Sequence, residues 1–141
     1  MNPSMKWLHN GRVLYWKLSG TVTEEQFIPG LKSINTILHE TNQKIHVIVD
    51  ANRAHSLEGH TGQLRQLARM IANHGSMGCF FVITHNFLFK CQLNRVTVAF
   101  GTHLRYSDSF RNSWHSLQKI DGNLPYAAPE KPVFERALKY A

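Results

Sequence analysis

The sequence predicts an α/β domain, a layered fold around a mixed, mostly parallel sheet opened by an N-terminal β-hairpin, in the order β-β-α-β-α-β-α-β-α. Three observations carry this expectation. An Asn10-Gly11 pair separates two short strand-like runs. Such a pair is the strongest short-range mark of a two-residue hairpin, because both positions accept positive φ. Two later runs, Ile45-His46-Val47-Ile48-Val49-Asp50 and Gly78-Cys79-Phe80-Phe81-Val82-Ile83-Thr84, are apolar at almost every position, as strands covered on both faces are. Between and after them, apolar residues recur at helical spacing. Alternating strands and helices imply parallel strands joined by right-handed crossovers.

The elements follow in order. Met5–His9 and Arg12–Ser19 form the hairpin, and Gly20 ends its second strand. Thr23 with Gln26 fits a capping box, and Glu24 and Glu25 suit the positive end of a helix. That helix buries Phe27, Leu31, Ile34, Ile37 and Leu38 and stops between His39 and Asn42; Pro29 falls in its first turns. After the first buried strand, Ala51–His60 reads as a polar loop. A second helix from about Thr61 turns Leu64, Leu67, Ala68 and Ile71 inward, and Asn73-His74-Gly75 stops it. Asn86 opens an apolar segment, Phe87–Phe100, read as one helix ended by Gly101, although Val96-Thr97-Val98 are mediocre helix formers. His103–Tyr106 is a short strand. Ser107-Asp108-Ser109 begins a last helix through Trp114, Leu117 and Ile120. The α/β domain is thus expected over residues 1–122. Residues 123–141 form an irregular tail with prolines and a short helix over Pro132–Tyr140.

Composition limits the function classes. With 141 residues, 43% of them hydrophobic and 18% charged, the chain matches an ordinary globular domain with one core. No apolar run approaches the ~20 residues needed to cross a bilayer, and the N-terminal residues lack the apolar stretch of a signal peptide. Cys79 and Cys91 do not make a disulfide framework, so a cytoplasmic location is the expectation. The net charge of +7 permits binding to polyanions. Lys and Arg are spread along the chain, which reads as solvated surface. A nucleic-acid surface of Arg53, Arg65, Arg69, Lys90 and Arg95 is therefore a subordinate reading.

No phosphate-binding glycine loop and no G-x-S-x-G elbow follows any strand. No catalytic residue, cofactor or metal is assigned. The densest polar cluster is His55-Ser56-Leu57-Glu58-Gly59-His60, at the carboxyl end of a central strand, where open α/β sheets tend to bind ligands. His55, Glu58 and His60 could act as acid, base or metal ligands in a small enzyme or metal site, but their spacing matches no established zinc pattern. Asp50 is expected to accept backbone hydrogen bonds from the loop after its strand. His46 and His115 are read as packed structural residues. The Phe87–Phe100 segment would suit a homodimer surface or a lipid-binding groove if left uncovered.

Val13-Leu14-Tyr15-Trp16-Lys17-Leu18-Ser19-Gly20-Thr21-Val22-Thr23, Ile45–Asp50 and Leu104-Arg105-Tyr106-Ser107-Asp108-Ser109 through Trp114-His115-Ser116-Leu117 together resemble the STAS fold of the anti-sigma-factor antagonists and their SpoIIAA-like relatives. The likeness spans roughly residues 5–121. It implies a non-catalytic regulatory or binding module that contacts a protein partner or a small apolar ligand. Asp50, Asn52, Arg53, His55, Glu58, His60 and Thr61 are then the expected binding or regulatory residues. In that family a serine within Asp-Ser-Ser-Gly is phosphorylated. Here Gly59 or His60 falls at the serine position, with Thr61 one residue further on, so this sequence departs from the motif at that point.

Overall fold

The structure, a computed structural model, describes residues 2–9, 11–59 and 61–134, with Thr61 represented by its backbone alone. Strand β1 (Met5–His9) pairs antiparallel with β2 (Val13–Thr23), and Gly11 has the positive φ of 75° that the hairpin turn needs. Helix α1 (Glu24–His39), β3 (Ile45–Glu58), α2 (Thr61–Ala72), β4 (Met77–Ile83), α3 (Phe87–Val96), a 3₁₀ segment (Val98–His103), β5 (Leu104–Ser107) and α4 (Phe110–Ile120) follow. Strands β2 to β5 are parallel, and the sheet runs β1-β2-β3-β4-β5 in chain order. The fold is therefore α/β on a five-stranded mixed sheet.

A sheet that grows in one direction through right-handed crossovers keeps its crossover helices on one face. The core shows this. Leu14, Trp16, Val47, Val49, Phe80 and Val82 point to one side, against Phe27 and Leu31 of α1, Leu64 and Ala68 of α2, and Phe89 and Leu93 of α3. The other side carries Val13, Tyr15, Ile48, Phe81 and Ile83, covered by Trp114 and Leu117 of α4 together with Leu124, Ala128 and Phe134. Residues 121–134 form no helix or strand but lie over this second face as a strap. The short helix expected from Pro132 does not begin within the described residues. On the first face, the Trp16 indole fills the hollow at Gly30 of α1, where a Cβ would come within 2.1 Å of its Cζ2. At α1's start, the Thr23 amide donates to Gln26 Oε1 at 3.1 Å.

Two expectations need correction. The segment read as a helix over Phe87–Phe100 breaks at Thr97, whose hydroxyl turns back onto the Leu93 carbonyl (2.9 Å) and whose ψ is 17°. The β-branched Val96-Thr97-Val98 run favours that break, and the chain continues as the 3₁₀ segment. The second correction concerns the polar loop after Asp50. Residues 51–58 are strand, not loop, and β2 does not stop at Gly20 but continues beside them to Thr23↔Glu58.

Candidate functional site: the β2–β3 projection and its buried polar anchor

Two bulges explain why this strand is hidden in the sequence. Lys17 pairs with Asp50 and Ser19 with Arg53, so Ala51 and Asn52 together face Leu18. Gly20 pairs with Ala54 and Thr21 with Ser56, leaving His55 unopposed. Each extra residue shifts the alternation by one. The buried positions therefore run Ala51, Ala54, Leu57, a spacing of three that matches neither a regular strand nor a helix. Beyond Asp50↔Ile83, β4 ends and β3 continues with β2 as a two-stranded projection. Helix α3 covers part of its open edge: the Leu57 amide donates to Gln92 Oε1 at 2.8 Å.

Of the seven residues nominated from sequence, the five whose side chains are described do not form one cluster. Asn52, Arg53 and His55 are exposed on the projection. Glu58, at its end, is exposed as well and shares a cavity of about 310 Å³ with Thr23, Glu24, Glu25 and Gly59. Three carboxylates thus line this cavity beside the start of α1, whose dipole Glu24 and Glu25 complement, and they would repel a phosphate added next to them. His60 lies outside the described residues, as does the side chain of Thr61. Among the described residues, no group of three His, Cys, Asp or Glu side chains is gathered as a metal site.

Asp50 is placed differently. It is only 3% exposed and sits at the base of the projection. The Tyr15 hydroxyl donates to its Oδ2, the Asn52 amide to its Oδ1 at 3.2 Å, and Lys131 Nζ lies 2.9 Å from Oδ2. Burial pushes the carboxyl up, but these three donors outweigh it and hold Asp50 below the usual carboxylate range. Burial first, then the Asp50 hydrogen bond and charge, pushes the Tyr15 phenol far above its ordinary value, so it stays protonated. The Tyr15 ring stacks on Phe134 (6.0 Å) and meets Phe110 edge-on (5.9 Å). Lys6 Nζ donates to the Val133 carbonyl at 2.6 Å, and its ammonium lies 5.0 Å from the centre of the Phe134 ring. With its lone pairs so engaged, Asp50 is an anchor for the strap rather than a base.

Tyr15 and Lys131 are the partners that sequence reasoning missed. The sequence places Tyr15 in a strand, but its pairing with Asp50 depends on register. Lys131 lies in an irregular segment with no periodicity to locate it.

A second polar knot lies at the opposite end of the sheet, in a cavity of about 520 Å³. His46, 4% exposed, accepts from the Cys79 amide at Nδ1 and faces Asp121 Oδ2 from Nε2, each at 3.0 Å. Arg12 pairs with the same carboxylate oxygen. Because Nδ1 must accept from Cys79, the neutral Nε2–H tautomer fits and a doubly protonated ring does not. Burial lowers the His46 pKa and outweighs the opposing pull of Asp121. Stability contributed by a neutral histidine is complete above its unfolded value of 6.5 and is lost as pH falls below it, when the unfolded chain takes up the proton first. The melting temperature is expected to fall between neutral pH and pH about 5. His46→Gln is expected to lower it at neutral pH and flatten that slope. An unchanged slope in the variant would assign the acid sensitivity elsewhere. Of the other groups, His115 is half-buried and stacks on Tyr126 at 5.9 Å. Cys79 is buried and Cys91 half-buried, and burial raises the Cys79 thiol pKa.

Comparison with protein-family profiles, curated proteins and solved structures gave no match to this chain. Among the described residues, no helix is long and apolar enough to cross a membrane.

Proposed function

We propose that this chain is a STAS-like binding module that engages a protein partner through the exposed face of the β2–β3 projection. The single observation behind the reading is that β3 outruns β4, so that Asn52, Arg53 and His55 stand bare beyond the covered sheet. The opening antiparallel pair, the sequential strand order and an aspartate where the central strand leaves its neighbour support the likeness to the STAS fold. The polar groups of the covered sheet point the same way. Asp50, Tyr15 and His46 are held by protein partners, which suits a rigid platform better than a reaction centre.

The test is affinity capture from cell extract with the wild-type chain and with Arg53→Glu/His55→Glu, both substitutions at exposed positions that leave the core intact. A partner retained by the wild type and reduced at least tenfold by the variant is the expected result. Equal recovery of the same proteins by both would remove the projection from the interface.

A further inference from the structure

The net charge of +7 is unevenly placed because the acids are unevenly placed. From Gly59 to Ser107 the sequence contains no aspartate or glutamate, while Arg65, Arg69, Lys90, Arg95 and Arg105 lie within it. This stretch carries five of the seven net positive charges. It builds α2, β4, α3, the 3₁₀ segment and β5, and its helices form one side of the first face's outer layer.

Arg65 and Arg69 lie one turn apart on one stripe of α2. Leu88 and Arg95 lie two turns apart on one stripe of α3, away from the buried Phe89, Leu93 and Val96. The two stripes meet where Arg65 Nε donates to the Arg95 carbonyl at 3.0 Å. Arg65, Arg69 and Arg95 are all exposed, and among the described residues none of them is in an ion pair. Lys90 is engaged elsewhere, 4.6 Å from the centre of the Tyr106 ring. The same layer carries exposed apolar side chains: Phe87 at 79%, Leu88 at 56%, Val98 at 74% and Met70 at 52%.

We propose that this α2–α3 face docks on an anionic lipid surface, with Arg65, Arg69 and Arg95 at the headgroups and Phe87, Leu88 and Val98 entering the interface. Charge complementarity selects the partner. A second copy meeting the face about a twofold axis would bring arginine against arginine, with no acid on these elements to neutralise them. A nucleic acid would satisfy the arginines and give Phe87 a base to stack on, but Leu88, Val98 and Met70 cannot stack and would gain nothing from phosphate. A bilayer interface satisfies both sets, since aliphatic and aromatic groups bury at the acyl boundary while cations hold anionic lipids. The face borders the β2–β3 projection through Gln92 but shares none of the exposed residues proposed there, so the inference stands or falls independently of the binding reading above.

The experiment is co-sedimentation of the full chain with phosphatidylcholine vesicles, with and without phosphatidylserine, at low and raised salt. The expected result is partitioning only to the phosphatidylserine vesicles, weakened by salt. Each of Arg65→Gln and Arg95→Gln should weaken it by about fivefold, the worth of one cation near such a surface. Phe87→Ser/Leu88→Ser should weaken it further while leaving the circular dichroism unchanged, because both side chains are already exposed. No partitioning, or partitioning indifferent to all four substitutions, overturns the proposal. So does binding to duplex DNA or RNA through the same arginines without vesicle binding, or a stable dimer dispersed by Phe87→Ser.

Discussion

Asp50→Ala is expected to destabilise the domain by about 3 kcal/mol, because it leaves a buried hydroxyl without its acceptor and breaks a charge pair. The Tyr15 phenol is 0% exposed, so bulk solvent does not reach it to replace the lost carboxylate. Lys131 is 49% exposed, so its share of the loss is the smaller one. The damage should also be local. Without the Asp50–Lys131 contact, the strap keeps the Phe134 stack, the Lys6–Val133 hydrogen bond and the Arg12–Asp121 pair at its start, but its far half loses its ion pair to the sheet. Urea unfolding checks the first effect, and limited proteolysis within residues 125–134 checks the second. Asp50→Asn retains an acceptor for Tyr15 and should cost less. Stability within about 0.5 kcal/mol of wild type in the alanine variant would show that the anchor is dispensable.

Trp114→Ala is expected to have the largest effect, about 3–5 kcal/mol, as removal of a fully buried large aromatic typically does. The side chain is 0% exposed and packs among the residues of the second face, and its Nε1 donates to the Pro125 carbonyl at 3.0 Å. The substitution therefore removes core volume and a tie to the strap together. Trp114→Phe keeps most of the volume while losing the hydrogen bond, and should cost about 1–2 kcal/mol. Thermal and denaturant unfolding give both values. Comparable losses in the two variants would assign the effect to the hydrogen bond rather than to packing.

The parts of the fold written in local chemistry were legible in the sequence. Asn10-Gly11 marks the hairpin, Thr23 with Gln26 marks the start of α1, and the apolar runs at Ile45 and Gly78 mark the covered strands. The parts set by register were not. Two extra residues in β3 erase its alternation, so a strand that continues to Glu58 reads as a polar loop. The Tyr15–Asp50 contact joins residues whose meeting depends on how β2 and β3 slide past each other. Lys131 reaches Asp50 from a segment with no periodicity at all. The acid-free stretch from Gly59 to Ser107 is a different case. It is plain in the sequence once the carboxylates, rather than the cations, are followed along the chain.

Because each strand joins the one made just before it, the sheet can assemble stepwise as the polypeptide leaves the ribosome. The crossover helices arrive in step and close the first side as synthesis proceeds. The reverse side has no such provision. Val13, Tyr15 and Ile48 are translated early, yet their cover comes from α4 and the residues that follow it. A nascent chain halted near Ser107 would present that side bare, making late translation the interval in which this protein most needs a chaperone.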